Sequence, residues 1–133
     1  MRSLQPEFFI ISASLNSDAD YCNYTRHRDL QYDLQYSDLP YKEVYGRYEG
    51  NEERAFLVVT NDLEGIIELA YEYDQQSVLH VSPMREAALI FLYDQAPQYL
   101  GAFVEVSKKL VGVLPNSTYD PLMDKLYTTR KIS

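Results

Sequence analysis

The sequence predicts an α/β fold, an α+β sandwich with two helices on one face of an antiparallel sheet and extra strands at the C-terminal end. Three observations lead there. Over residues 7–82, apolar runs with β-branched and aromatic content alternate with helical repeats. Their order is strand, helix, strand, strand, helix, strand, the split βαβ arrangement. Each helical segment has one apolar stripe, and so one face to bury. The handedness of β–α–β crossovers then leaves few ways to wind the chain.

Residues 1–6 read as a flexible lead. Residues 7–14, EFFIISAS, form an apolar run typical of a buried strand. The polar stretch NSDADYCN is a loop. Asn23 or Thr25 then caps a helix through TRHRDLQYDLQYSD to residue 38, with Leu30, Leu34 and either Tyr24 or His27 on its apolar stripe; Pro40 stops it. Residues 41–50, YKEVYGRYEG, alternate as a strand does. A turn at residues 49–52 leads into ERAFLVVT, so the pair forms a β-hairpin. Asn61 or Asp62 caps a second helix, DLEGIIELAYEYDQ, with Leu63, Ile66, Ile67, Ala70 and Tyr73 on one face. SVLHVS is the next strand, ended by Pro83. In the extension, residues 83–133, EAALIFLYD is apolar enough for a strand or a short buried helix, the strand being favoured. GAFVEVSK reads as another strand, and a short helix is expected around residues 121–127.

Phe56 and Val58 alternate with Leu57 and Val59, so both faces of the central strand are apolar. The two helices cover one face only. An uncovered apolar face usually meets another subunit, and a homo-oligomer is therefore expected.

The 133 residues suit one domain that buries a core without disulfides or metals. No apolar run nears the roughly 20 residues that span a bilayer, and MRSLQPEFF lacks a secretory leader. Cys22 is the single cysteine and has no internal partner, which agrees with a cytoplasmic protein. The net charge of -8 argues against binding nucleic acid through phosphates. Arg26, Arg28, Arg47, Arg54 and Arg85 are interleaved with the acids, which counts against a row of carboxylates imitating DNA.

The sequence has no glycine-rich phosphate loop, no HExxH, no cysteine pair and no GxSxG elbow. His27 and His80 lie on different elements, so neither a metal site nor a cofactor is expected, and His27 reads as structural. What remains are polar residues at element ends, where small domains usually build sites. These are Ser12, Ser14 and Asn16; Arg26 and His27; Glu52 and Glu53; and Gln75 and Gln76. Adjacent strand residues point to opposite faces, so one of Glu52 and Glu53 is expected in a given pocket.

In chain order these pieces resemble the bacteriophage enzymes that degrade S-adenosylmethionine (SAM), SAM lyases formerly described as SAM hydrolases. The resemblance is carried by the first strand ending in Ser12-Ala13 and by TRHRDLQYDL, with its Arg26-His27-Arg28 and Leu34. It continues through Tyr45, the Gly46-x-Tyr48 step, the Glu52-Glu53 pair and DQQSVLHV, over residues 8–81. The hairpin between Tyr48 and Glu52 is tighter than in the family's best-known member, and the tail after Pro83 carries none of these matches.

The resemblance implies a ferredoxin-like sandwich of the PII (GlnB-like) kind, assembled as a trimer with active sites between subunits. It also implies SAM as substrate, without a cofactor. In the implied reaction the substrate's own carboxylate attacks its Cγ, giving 5′-methylthioadenosine and L-homoserine lactone. The implied role is a phage counter-defence in the host cytoplasm against SAM-dependent restriction-modification. On this reading Glu52 is the principal site carboxylate, with Tyr41 beside it across the turn; Glu53 takes that place if the register shifts by one. Tyr45 and Tyr48 would stack on adenine or donate to the ligand, and Ser12 and Asn16 would hold its amino-acid end. Arg26 would bind the substrate carboxylate or else form a surface salt bridge, and Gln75 would add a binding contact. The alternatives are a SAM hydrolase with a glutamate as general base, a non-catalytic GlnB-like nucleotide sensor, or an acidic anti-restriction protein.

Overall fold

Strands that are apolar on both sides need cover on both sides, and the chain supplies it by closing on itself. The computed structural model describes residues 6–15 and 20–131. Among them the order is β1 (Phe8–Ile11), α1 (Asp20–Tyr36), β2 (Tyr41–Tyr48), β3 (Asn51–Val59), α2 (Leu63–Glu72), β4 (Ser77–Val81), β5 (Glu86–Phe91), β6 (Pro97–Val106), a 3-10 turn at Lys108–Leu110, β7 (Ser117–Asp120) and β8 (Lys125–Arg130). The strands form a closed antiparallel barrel in the order β1-β3-β2-β7-β8-β6-β5-β4.

This corrects the expected fold class: the molecule is not an open ferredoxin-like, GlnB-like sandwich. Within the barrel β1 does lie between β4 and β3, and β2 lies beyond β3. The difference is what the edges of that group do. β4 continues into β5 through pairs from Ser77↔Phe91 to Val81↔Ala87, and β2 pairs with β7 through Tyr45↔Tyr119 to Arg47↔Ser117. No edge is left open, which removes the usual hazard of unpaired strands.

The physical reason is the second apolar face. Phe9, Ile11, Phe56 and Val58 point to the helices, where Leu30 and Leu34 of α1 and Ile66 and Ala70 of α2 bury them. The opposite parity, Phe8, Ile10, Leu57, Val59 and Val81, points into the barrel and meets Ala87, Phe103 and Tyr127 from the C-terminal strands. Phe103 packs edge-on against Phe8, with 5.5 Å between centroids, and stacks on Tyr127 at 5.0 Å. The face expected to meet another subunit is thus covered from within, and it gives no argument for an oligomer. One polar pair sits in this part of the structure. Asp120, almost fully buried, is paired with Lys42 and accepts from the backbone N–H groups of Leu122 and Met123 at 3.0 and 3.2 Å. A buried charge is tolerated when it is so satisfied.

Three element boundaries also differ from expectation. Residues 121–127 are not a helix; they turn and enter β8. β6 begins at Pro97, before the expected 101. α1 begins at Asp20, so Asn23 and Thr25 lie inside the helix and are not its caps. α2 does take its expected cap: the Asp62 carboxylate accepts from Gly65 N–H at 3.1 Å. Among the described residues no helix is long and apolar enough to cross a membrane.

Candidate active site

The chain leaving β1 is pinned by its own Ser12, by side chains of α1 and by Gln75 of the turn after α2. Ser12 Oγ donates to the Arg54 carbonyl at 3.0 Å and accepts from Ser14 N–H at 3.0 Å. Asn23 of α1 clamps Leu15 both ways, accepting its N–H at 2.8 Å and donating to its carbonyl at 3.0 Å. Arg26 Nε donates to the Ala13 carbonyl at 2.6 Å, and its terminal nitrogen donates to the Tyr73 carbonyl. Gln75 Nε2 donates to the Ser14 carbonyl at 3.0 Å and the Tyr73 carbonyl at 3.2 Å. Residues 13–15 therefore form a fixed wall rather than a loose loop.

Facing this wall is the turn end of the β2–β3 hairpin. Glu49 and Gly50 have φ of 50° and 84°, the two positive values that a tight two-residue hairpin turn requires. That turn sets the register Arg47↔Glu52, Gly46↔Glu53 and Tyr45↔Arg54. Between wall and hairpin opens a cleft of about 840 Å³ lined by Ser14, Leu15, Tyr21, Asn23, Tyr24, Tyr45, Asn51, Glu52, Glu53 and Arg54. The volume suits a nucleoside-sized ligand. Because the cleft wraps β3 from residue 51 to residue 54, carboxylates of both parities reach it, and Glu52 and Glu53 both line it.

The two glutamates differ in environment. Glu52 is exposed and forms an ion pair with Arg47 at 2.9 Å. Glu53 has the barrel-facing parity of Ala55 and Leu57, and burial pushes its carboxyl above the ordinary range, the neighbouring Ser12 side chain opposing the shift. Beneath the cleft His27 stacks on Phe56 at 4.2 Å, with Nε2 3.3 Å from Glu43. Burial lowers this imidazole below its usual pKa, the Glu43 carboxylate opposing the shift and Arg54 adding to it. Among the described residues no three His, Cys, Asp or Glu side chains form a group that could hold a metal ion.

The structure thus brings Tyr45, Glu52 and Glu53 together and leaves other expected site residues elsewhere. Tyr41 sits at the far end of β2, paired with Val58, edge-on to Phe56 and accepting at its hydroxyl from Gln35 at 2.9 Å. Tyr48 is exposed and does not line the cleft. Ser12, Arg26 and Gln75 hold the wall, and Arg26 also lies 3.7 Å from Asp74. Asn16 lies outside the described residues. Sequence reasoning passed over Tyr21, Asn23, Tyr24 and Arg54. The signal for the first three was a helix start at Asp20, hidden within a segment that reads as loop.

Tyrosine rings, two carboxylates and one guanidinium line this cleft at the end of the hairpin, a lining suited to a small aromatic ligand bearing both signs of charge. The S-adenosylmethionine lyase family model matches residues 9–130, and the chain belongs to that family. It is an enzyme, a SAM lyase with SAM as substrate. The match runs through β5–β8, so the tail after Pro83 lies within the family pattern after all. No curated protein matches the chain.

Proposed function

We propose that the enzyme cleaves SAM in this cleft by intramolecular displacement: the substrate carboxylate attacks Cγ, the Cγ–S bond breaks, and 5′-methylthioadenosine and L-homoserine lactone leave. The charges balance without a proton transfer. A cation bearing sulfonium, ammonium and carboxylate becomes a neutral thioether and an ammonium lactone, so neither a base nor a protein nucleophile is needed. The enzyme contributes orientation and removal of water from opposite charges that are about to neutralise.

The observation that carries this reading is the pairing of Glu53 with the tyrosines of one cleft in a chain of the SAM lyase family. Tyr21 and Tyr45 offer ring faces to adenine and to the sulfonium. The principal carboxylate is Glu53 rather than Glu52, whose charge Arg47 partly answers. A carboxylate held against the sulfonium would stabilise a charge that vanishes in the transition state, and would slow the step. Glu53 therefore serves the ribose hydroxyls or the ammonium, which persist through the reaction.

Burial of Glu53 also favours a second reading, because a raised pKa makes a carboxylate a better general base. Water activated there would attack the same carbon and give homoserine directly. Incubation of the protein with SAM, followed by chromatography and NMR, separates these readings. The lyase gives methylthioadenosine with the lactone; homoserine formed ahead of lactone would favour the hydrolase, and intact SAM would overturn both.

SAM depletion would starve methyltransferases and SAM-dependent restriction enzymes, the counter-defence that the phage resemblance implies. A homo-oligomer, with a trimer as the implied form, now finds support in a different surface. Tyr21, Tyr24, Tyr32 and Tyr36 are exposed along α1, and the first two also line the cleft. Light scattering at two protein concentrations tests it, a monomer at both being the contrary result.

A further inference from the structure

The basic side chains near the cleft are mostly committed. Arg26 donates to the Ala13 and Tyr73 carbonyls, Arg47 pairs with Glu52, Lys42 pairs with Asp120, and Arg28 donates to the Tyr32 hydroxyl at 3.1 Å. Arg54 differs. It lines the cleft, and among the described residues no carboxylate pairs with it. Its guanidinium lies over the Tyr24 ring, 5.7 Å from the centroid. Arg28 lies 5.9 Å from the same ring. The Arg54 carbonyl is fixed by Ser12 Oγ at 3.0 Å.

A guanidinium laid over an aromatic ring keeps its edge N–H donors available, and that edge matches a carboxylate with two parallel hydrogen bonds. In this cleft one cation follows directly on two anions, Glu52 and Glu53. SAM carries the complement, one carboxylate beside an ammonium, with three carbons between that carboxylate and a sulfonium. Resting on the lyase reading, we propose that Arg54, steadied by Tyr24, takes the α-carboxylate of the substrate and so selects sulfonium compounds that carry an amino acid. As the carboxylate loses charge on attack, this pairing weakens. Arg54 therefore acts more on KM than on kcat.

The test uses calorimetric binding of two thioethers that do not react, S-adenosyl-L-homocysteine and its decarboxylated counterpart, which differ only in the carboxylate. The native protein is expected to prefer the carboxylate form by about ten- to a hundredfold, the range of a charge-assisted hydrogen bond. Arg54→Ala should bring that ratio close to one, and Arg54→Lys should leave an intermediate ratio. Tyr24→Phe, which keeps the ring, should preserve the native ratio, and Tyr24→Leu should lower it. Circular dichroism checks that each variant is folded. No preference in the native protein, or an unchanged preference in Arg54→Ala, would overturn the proposal. Because neither ligand reacts, failure of the native protein to cleave SAM would sink the lyase reading while the binding ratio still judges Arg54.

Discussion

Tyr41 and Tyr45 are four residues apart on one strand of the β2–β3 hairpin, and the two do different work. At the strand start Tyr41 leans on Phe56 and its hydroxyl accepts from Gln35, beneath α1. Toward the turn, Tyr45 stands across from Arg54 in the cleft, one residue from Glu53. Residue type does not separate them. What separates them is how α1 meets each. At the Tyr41 end His27 stacks on Phe56 and Gln35 reaches the Tyr41 hydroxyl, while at the Tyr45 end Tyr21 and Tyr24 line an open cleft, Tyr24 meeting the hairpin only through Arg54. The same strand pair is core at one end and lines the candidate cleft at the other. Changes at the first end should cost folding, and changes at the second should cost turnover.

The largest expected effect falls at the core end. Phe56→Ala removes a fully buried ring between His27 and Tyr41 and should destabilise by about 3–5 kcal/mol in urea unfolding. A loss below about 1 kcal/mol would break the contrast. Next comes Glu53→Gln at the cleft end, with at least a hundredfold loss of kcat/KM, about 2.7 kcal/mol, and a melting temperature that rises. The sign follows from the raised carboxyl. The folded state holds the proton more tightly than the unfolded chain does, so stability falls as pH rises from the unfolded value through the folded one. The amide removes that cost at neutral pH. A variant both inactive and less stable would place Glu53 in the scaffold.

Tyr41→Phe should lose about 0.5–1.5 kcal/mol of stability, one hydrogen bond's worth, with kcat/KM within about twofold of native. A large loss of activity without loss of stability would restore Tyr41 to the site. The smallest effect belongs to His27. Burial lowers its pKa from 6.5, so the unfolded chain takes up the proton first, and stability should fall as pH drops through the unfolded value toward the folded one. His27→Gln should flatten that slope in thermal melts between about pH 7 and pH 5; an equal slope would assign the acid sensitivity elsewhere.

Much of the helix-covered half was legible in the sequence because its pattern is local. Leu30 with Leu34, and Ile66 with Ala70, recur at helical spacing, and Asp62 caps where expected. Closure of the barrel was not legible. β7 is four residues, STYD, and Pro121 follows it, so neither length nor hydropathy marks it as a strand. It pairs locally with β8 across a short turn, but the pairing with β2 that closes the barrel joins residues far apart in the chain. The second apolar face was visible in Leu57 and Val59, but the pattern says only that cover exists, not that it comes from the same chain. In the site, Glu52, Glu53 and Tyr45 were legible as polar residues at a hairpin end. Tyr41 pairs with Val58, at the opposite end of the hairpin from Glu52, a separation that follows from the length of the two strands. Arg26 and Gln75 were sound choices of residue type, used instead to fix carbonyls. Their long side chains reach either a ligand or a backbone, and only the fold decides which.

Whether the substrate's own carboxylate breaks the Cγ–S bond can be read by running the reaction in water enriched in heavy oxygen and locating the label. Lactone forming first and opening later leaves the homoserine hydroxyl unlabelled and places heavy oxygen in the carboxyl group. Label confined to the hydroxyl would mean that water attacks Cγ, and would contradict the account.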